Sequence, residues 1–256
     1  MKQVLVTGAT GQTGMLVLKK LRQRGSEFQS FGFARSEAKA KELFQSTEGF
    51  FFGDIQDISS LEKALSGCHA LVILTSAIPR MKAPPQKPGD RPVFAFDEGG
   101  LPEEVDYLGQ KNQIDAAAIA GVKHVIIVGS MGGTDENHYL NSIGNGNILI
   151  WKRKAEQYLI NSGIDYTIIR AGGLVNQPGG IRELIVGKDD AFLKNPPNGI
   201  ATSIPREDVA EVVIQSLLES NAKNKAFDII SKPEDDTCAV VTKDFTTLFA
   251  NTTPGL

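Results

Sequence analysis

Three glycines near the start of the chain have the spacing of a phosphate-binding turn. Gly8, Gly11 and Gly14 follow an apolar run at residues 4–6 in the pattern G-x-x-G-x-x-G, and an amphipathic stretch at 15–24 comes next. Because glycine has no Cβ, a pyrophosphate can approach the backbone N–H groups at the start of a helix there. Strand, turn and helix in this order predict a dinucleotide site, with a plain strand-to-helix turn as the alternative. The predicted binding residues of the turn are Gly8, Thr10, Gly11, Gln12, Thr13 and Gly14.

The end of the second predicted strand distinguishes between the two nicotinamide dinucleotides. In these folds an acid about 20 residues past the glycines holds the ribose of NAD, whereas a basic residue accepts the 2′-phosphate of NADP. Arg35 and Ser36 stand at this place, and no acid precedes Glu37. A guanidinium can grip a phosphate with two hydrogen bonds, and a serine at a helix start adds a hydroxyl and an N–H. The sequence therefore predicts NADP as the cofactor, unless Arg35 is an ordinary solvated charge.

Two residues after the third predicted strand fit the adenine end of the cofactor. The carboxylate of Asp54 can accept a hydrogen bond from the adenine amino group, and Ile55 can cover the ring. Asp54 can equally cap a turn, because aspartate side chains bond readily to nearby backbone N–H groups. Thr75, which follows the fourth apolar run, completes the cofactor-binding residues predicted on this side.

Composition excludes several classes of partner. The formal net charge of −3 and the absence of a basic stripe argue against nucleic acid and against a membrane surface. The two cysteines lack the spacing of a metal site, and no metal is predicted. A strand follows Met1 almost at once, and no apolar run approaches the ~18 residues of a membrane span. We expect a cytoplasmic protein, unless a targeting segment has been removed, with a small-molecule substrate and present as a monomer or homodimer.

Short apolar strands alternate with helical patterns along the chain, which is typical of an α/β fold. Because the strands are apolar on both faces, we predict a Rossmann-type doubly wound parallel sheet with helices on both faces. Ser59 and Glu62 have the spacing of a capping box at the start of the third helix. Further strands are predicted at 31–34, 50–52, 70–74, 124–128, 166–169 and 226–230, and helices at 36–45, 59–67, 103–120, 148–162, 205–218 and 243–249.

The chain is predicted to form a single NAD(P)-binding domain, 1–256, with a small C-terminal elaboration on the substrate side. Its substrate-side segments are 173–203 and 232–256. Residues 77–102 form a predicted long loop, since prolines at 79, 84, 85, 88, 92 and 102 are incompatible with a helix or a central strand. Loops of this length in compact domains are usually functional or mobile.

Several segments together resemble the atypical short-chain dehydrogenase/reductases. They are Arg35 and the stretches at 7–14, 53–55, 128–133 and 151–156. The chain is similar to the NmrA-like and biliverdin-reductase-B-like group, which includes plant and algal members. The resemblance implies a Rossmann fold, an NAD(P) cofactor and reductase chemistry.

The resemblance also assigns residues to the reaction. The family mechanism uses a tyrosine four residues before a lysine that lowers the phenol's pKa and holds the nicotinamide ribose. Lys154 matches that lysine, but Ile150 occupies the tyrosine position. Ser130 matches the serine that would hydrogen-bond a carbonyl, and Asn112 matches either a proton-relay asparagine or an ordinary polar helix residue. The segment beside the nicotinamide corresponds to Ala171, Gly172 and Gly173.

No other residue replaces the missing phenol by its spacing. Tyr139 and His138, in the loop between the serine and the lysine, are the alternative acids, whereas His124 begins a strand and is interpreted as structural. We predict an NADPH-dependent reductase of a conjugated acceptor, such as a flavin, quinone or tetrapyrrole, with solvent supplying the proton. The alternative is a non-catalytic NADP(H)-responsive sensor or scaffold protein. A sugar-nucleotide epimerase is disfavoured because it too depends on the tyrosine.

Overall fold

Parallel strands dominate the central sheet of the protein. The structure, a computed structural model, describes residues 1–85, 87 and 92–255. Within these residues the main sheet has eight strands in the order β3-β2-β1-β4-β7-β8-β12-β10. Only the last, β10, runs antiparallel to its neighbour. The strands are β1 (Lys2–Thr7), β2 (Phe28–Ala34), β3 (Phe50–Phe52), β4 (Ala70–Ile73), β7 (His124–Ser130), β8 (Asp165–Ala171), β10 (Leu184–Gly187) and β12 (Lys225–Ser231), with β5 (Arg80–Ala83), β6 (Val93–Ala95), β9 (Gly173–Val175) and β11 (Ser203–Pro205) in two small sheets.

Helices cover both faces of this sheet. Val4 and Val6 of β1 point into a core with α1 and α8, whereas the intervening Leu5 points into a second core with α3, α4 and α6. This alternation follows from the two-residue repeat of a strand. It confirms the predicted doubly wound α/β fold. The helices are α1 (Gln12–Gln23), α2 (Glu37–Phe44), α3 (Ile58–Leu65), α4 (Gly109–Ile119), α5 (Tyr139–Ser142), α6 (Ile148–Asn161), α7 (Ala191–Lys194), α8 (Arg206–Leu218) and α9 (Phe245–Ala250).

One local prediction is wrong, and one strand of the main sheet was not predicted. The predicted capping box at Ser59 is absent because α3 begins one residue earlier, and the carboxylate of Asp57 accepts from the Ser59 N–H at 3.0 Å. The edge strand β10 was not predicted, because its pairing with β12 joins segments far apart in the sequence, such as Ile185 with Ile230. Local patterns carry little information about such pairings.

Residues 77–102 contain regular structure that the proline pattern concealed. Strands β5 and β6 pair antiparallel in a hairpin that is separate from the main sheet. Pro79, Pro84 and Pro92 flank the paired residues, so no ladder hydrogen bond is lost to them. The predicted Pro88 lies outside the described residues. We call the described residues of this segment, 77–85, 87 and 92–102, the flap.

The C-terminal segments divide between the two ends of the sheet. Strand β9, in the segment 173–203, pairs with β11 beyond the carboxyl end of β8. In contrast, Phe249 of α9 packs on Phe227, and Gly255 pairs with Lys225 at the amino end of β12. The last part of the segment 232–256 therefore lies at the end of the sheet opposite the glycine turn, not on the substrate side. No helix among the described residues has the length and apolar character to cross a membrane.

Candidate functional site

The turn between β1 and α1 brings bare backbone close together. Gly8 has a φ of +66°, and a Cβ on it would lie 2.6 Å from the carbonyl oxygen of Leu74. A Cβ on Gly14 would collide with the backbone oxygen of Gly8. Gly11 caps α1 without a side chain, so the first N–H groups of the helix face outward. The cradle fits a pyrophosphate, which needs this backbone approach at a helix start.

Two adjoining cavities lie along the carboxyl edge of the strands, beside this turn. The first has a volume of about 330 Å³ and extends towards α2. The second has a volume of about 520 Å³ and extends towards α6. Both are lined by Gly11, Leu74, Ser76 and Ile78, so they form one cleft that crosses the glycine turn. This is the position where open α/β sheets bind dinucleotides.

Basic side chains line the first cavity at the end of β2. Arg35 and Lys39 both face it. Ser36 lies between them and caps α2 by accepting from the Lys39 N–H at 3.2 Å. Within the described part of the chain, neither cationic side chain has a hydrogen-bond or ion-pair partner. Sequence reasoning missed Lys39, although its position one helical turn after Arg35 was visible.

The opposite wall of the first cavity contains Asp54, Ile55 and Thr75. Asp54 also caps the local turn, since its Oδ1 accepts from the Gln56 N–H at 2.9 Å. The side chain of Asn112 donates to the carbonyl oxygen of Ile55 at 3.1 Å. Asn112 therefore fixes this loop from α4, and the structure does not place it in a proton relay.

The second cavity is lined by Gln12, Thr13 and Gly14 on one side and by residues of β7 and α6 on the other. Ser130 lies there at the end of β7 and donates to the carbonyl oxygen of Met131 at 3.0 Å. Lys152 of α6 lies there too, and its ammonium donates to Asp106 at 2.6 Å.

The structure does not place Lys154 at the cleft. Its side chain is exposed, and the ammonium lies 4.0 Å from the centre of the Trp151 ring. An α-helix has 3.6 residues per turn, so residues three or four positions apart share a face. The buried positions of α6 include Leu149, Lys152 and Leu159. The spacing of these buried positions along α6 therefore indicates that residue 152 faces inward and residue 154 faces outward.

If Lys152 rather than Lys154 matches the family lysine, the family tyrosine position also shifts by two residues. Four residues before Lys152 stands Ile148, not Ile150, and Ile148 lines the second cavity. The position is apolar in either register. The conclusion that no phenol precedes the lysine by four residues is unchanged.

Three of the four tyrosines lie away from the second cavity. Tyr107 stacks on Trp151 with ring centres 5.8 Å apart. The hydroxyl of Tyr158 donates to Asp115 at 2.6 Å, and Tyr166 belongs to the core beneath the sheet. These three tyrosines therefore make packing contacts or hydrogen bonds away from the second cavity.

Tyr139 and His138, the alternative acids, lie at the start of α5. Tyr139 is 61% exposed and lines an adjoining groove of about 810 Å³ between the flap and α5, which shares Ile143 with the second cavity. His138 Nδ1 accepts from the Leu140 N–H at 3.3 Å. His124, interpreted as structural, is buried against Thr167, and burial lowers its pKa to about 4.

The segment after β8 does not present its backbone to the cleft. The N–H of Gly172 donates to Ile229 and the N–H of Gly173 donates to Thr202, at 3.0 and 2.8 Å. Ala171 is buried. The predicted contacts of these three residues with the nicotinamide are therefore not supported by their geometry. The neighbouring Leu174 lines the second cavity instead.

A buried group of charges lies behind β7. Arg170 contacts Glu156 at 2.9 Å and lies 3.9 Å from Asp228. Burial raises the pKa of Asp228 to about 6. Its Oδ2 accepts from the Asp190 N–H at 2.7 Å, which places a second carboxylate beside it.

Asp190 in turn holds the backbone that follows Ser130. Its two carboxylate oxygens accept from the N–H groups of Gly132 and Thr134, both at 2.7 Å. Burial opposes ionisation of Asp190, but these hydrogen bonds outweigh it and hold the pKa below its usual range. The charge group therefore holds the backbone that follows Ser130, and Ser130 lines the second cavity. Among the described residues, no group of His, Cys, Asp or Glu is arranged to hold a metal ion.

Comparison with known proteins identifies relatives over most of the chain. A family model described as NAD(P)H-binding matches residues 8–220. The chain is 56% identical to an uncharacterised chloroplastic protein of Arabidopsis thaliana, over 98% of this chain and 75% of that protein. It is 52% identical to the sanguinarine reductase of Eschscholzia californica, over 98% of this chain and 96% of that protein.

The fold is also found among solved structures. An anaerobillin reductase from Escherichia coli O157:H7 aligns with a TM-score of 0.63 and 20% identity, covering 92% of this chain and 98% of that one. The relatives contradict the predicted cytoplasmic location, because the 56% identical protein of Arabidopsis thaliana is chloroplastic.

Proposed function

The chain belongs to the NAD(P)H-binding family, and we propose that it is an NADPH-dependent reductase of a conjugated acceptor such as a flavin, a quinone or a tetrapyrrole. The predicted resemblance to the atypical short-chain dehydrogenase/reductases is confirmed. The observation that carries the proposal is the continuous cleft across the glycine turn, which joins an end with Arg35 and Lys39 to an end with Ser130 and Lys152.

NADP is proposed over NAD from the charges of the first cavity. Arg35 and Lys39 both line it, and their side-chain nitrogens have no acceptor within the described residues. A 2′-phosphate would accept hydrogen bonds from both cations, and charge-assisted bonds of this kind are the stronger ones. Asp54, on the opposite wall, would meet the adenine end, where Ile55 offers an apolar surface.

The second cavity would receive the nicotinamide and the acceptor. When bound, NADPH supplies the hydride. The ammonium of Lys152 would donate to the ribose hydroxyls, and the hydroxyl of Ser130 would donate to a carbonyl of the acceptor. Ile148 and Leu149 give the same wall an apolar surface that limits access of water.

Ile148 determines the class of acceptor in this proposal. A positioned general acid typically contributes ~10²–10⁴ in rate, and among the described residues no tyrosine or histidine lines the second cavity. A conjugated acceptor spreads the incoming charge over its rings and can take its proton from solvent. The relative that is a sanguinarine reductase supports reductase chemistry in this branch of the family. The chloroplastic relative favours a plastid location for this chain as well.

Stopped-flow mixing tests the proposal. The NADPH-loaded protein is mixed with a panel of flavins, quinones and tetrapyrroles, and the loss of reduced-nicotinamide absorbance is followed. We expect at least one acceptor to oxidise bound NADPH faster than free NADPH at the same concentration. If every acceptor reacts at the free rate while NADPH binds tightly, the chain is better described as an NADP(H)-responsive sensor or scaffold.

A further inference from the structure

A buried carboxylate joins the lysine of the cleft to the base of the flap. One oxygen of Asp106 accepts from the Lys152 ammonium at 2.6 Å, and the other accepts from the Ala77 N–H at 3.0 Å. Asp106 is fully buried, and the side chain of Lys152 is 11% exposed. The contact therefore lies within the protein, and it reaches the second cavity through Lys152.

The backbone around Asp106 departs from a regular α-helix. A π-helical segment, Glu103–Leu108, precedes α4 and packs against α6. π-Helical turns occur mostly as single-turn bulges in α-helices, and they are frequent at functional sites. Here the turn carries a carboxylate that faces both Lys152 and Ala77.

The pair has capacity left for a ligand. An ammonium has three N–H donors, and the structure gives the Lys152 Nζ one acceptor among the described residues, Asp106 Oδ1. The remaining donors can serve a ligand in the cavity that Lys152 lines. Without Asp106 the ammonium would have no buried counter-charge, and a buried unpaired charge is strongly disfavoured. It would then turn away from the cavity towards solvent.

We propose that Asp106 is a positioning residue for Lys152. It holds the ammonium at the second cavity, and through the Ala77 N–H it fixes the start of the flap relative to that ammonium. The flap contributes Ile78, Pro79 and Phe96 to the same cavity, so one carboxylate orders two of its walls. This inference rests on the proposed function, because it assigns Lys152 to the cofactor and the reacting end of the cleft.

A double-mutant cycle with Asp106→Asn and Lys152→Met tests the inference. The NADPH dissociation constant and the single-turnover hydride-transfer rate are measured for all four proteins. In the native background Asp106→Asn is expected to weaken NADPH binding about 10-fold and to slow transfer, since it misplaces a charged hydrogen-bond donor. In the Lys152→Met background the same change should alter either quantity by no more than about 2-fold. Asp106→Glu should recover part of the loss.

Asp115→Asn is the matched control. Asp115 forms an ion pair with Lys111 at the same 2.6 Å, on α4, but the pair is partly exposed and does not line the cleft. Equal effects of Asp106→Asn in both backgrounds would show a merely structural carboxylate and overturn the inference. If Asp106→Asn does not fold, the double variant, which lacks both charges, is compared with Lys152→Met. The two proteins must then agree in NADPH dissociation constant and in hydride-transfer rate within about 2-fold.

The two readouts separate this inference from the proposed function. If the native protein transfers hydride to no acceptor, the proposed reductase function fails. The cycle on NADPH binding still reports whether Asp106 acts through Lys152. If the native protein transfers hydride and the cycle shows no coupling in either readout, the inference about Asp106 fails by itself.

Discussion

The ammonium of Lys154 lies 4.0 Å from the centre of the Trp151 ring, on the outer surface of α6. The contact is a cation–π interaction between residues three positions apart on one helix. Lys154 thus lies on the exposed face of α6, whereas Lys152 lines the cleft from the inward face of the same helix. Two lysines separated by one residue therefore have different proposed roles.

These two lysines form a matched pair for mutation. Lys152→Met is expected to weaken NADPH binding by the value of one charged hydrogen bond, ~1.5–3 kcal/mol, and to slow hydride transfer. Lys154→Met should leave both within about 2-fold of native, because an exposed cation–π contact is worth only ~0.5–1 kcal/mol and touches no ligand. Fluorescence titration and stopped-flow measure the two effects. The reverse ranking would return the family lysine to Lys154.

Arg35 and Lys39 are expected to decide the choice between NADPH and NADH. Each charged hydrogen bond to the 2′-phosphate is worth ~1.5–3 kcal/mol, which corresponds to ~10–100-fold in affinity. Arg35→Ala and Lys39→Ala should each weaken NADPH binding by this order and leave NADH binding almost unchanged. Titration of both reduced cofactors checks the prediction. Equal native affinities for NADPH and NADH would remove the case for both cations.

Two glycines of the turn should fail in different ways when replaced by alanine. A Cβ on Gly14 would collide with the backbone of Gly8, so Gly14→Ala should lower thermal stability. A Cβ on Gly11 would meet the Gly8 oxygen at 3.1 Å, which a small shift can relieve. Gly11→Ala should therefore keep the native melting temperature within a few degrees but obstruct the pyrophosphate.

Thermal melting and NADPH titration of the two variants separate these effects. NADPH binding of Gly11→Ala should fall by at least about 10-fold, since the methyl group stands where the pyrophosphate would approach the backbone. Native NADPH affinity in a folded Gly11→Ala protein would mean that the cofactor does not cross the glycine turn.

Asp228 should give the protein a pH-dependent stability. Its pKa is raised to about 6 in the folded state, mainly by burial, against ~3.9 when unfolded. Between these values the folded state keeps a proton that the unfolded state releases, so the contribution of Asp228 to stability is lost as pH rises. Two units of pKa correspond to about 3 kcal/mol.

Asp228→Asn isolates this effect. The amide oxygen can still accept from the Asp190 N–H, and the variant retains His124, whose lowered pKa acts in the opposite direction. Relative to the variant, the native protein should lose about 2 kcal/mol of unfolding free energy between pH 4 and pH 7. Urea unfolding at several pH values measures the difference. A constant difference would contradict a raised pKa at Asp228.

Features that depend on short local patterns were predictable from the sequence. The parallel sheet follows from short apolar strands alternating with helical patterns, and the glycine turn from three residues that leave room for backbone. The position of Arg35 at the first cavity was predictable because Arg35 directly follows the end of a strand. Ser36 caps α2 as predicted.

Features set by distant contacts or by helix phase were not predictable in the same way. The flap hairpin pairs Met81 with Phe94 across prolines that made the segment read as a loop. Lys152 was missed because the family resemblance was aligned by sequence alone, although the buried stripe of α6 excludes residue 154. Asp106 becomes visible only when the π-helical segment brings it to Lys152 and Ala77.

The central claim is that this cleft transfers hydride from NADPH to a conjugated acceptor, and isotope transfer tests it most directly. NADPH carrying deuterium on the transferred face of the nicotinamide is given to the native protein with an acceptor that is reduced at carbon, such as a tetrapyrrole. The reduced product is then analysed by mass spectrometry. The account predicts one deuterium in the product formed by the native protein. Over the same interval Lys152→Met should give little labelled product, and Lys154→Met should give as much labelled product as the native protein. Tight NADPH binding without label in the product of any acceptor would contradict it.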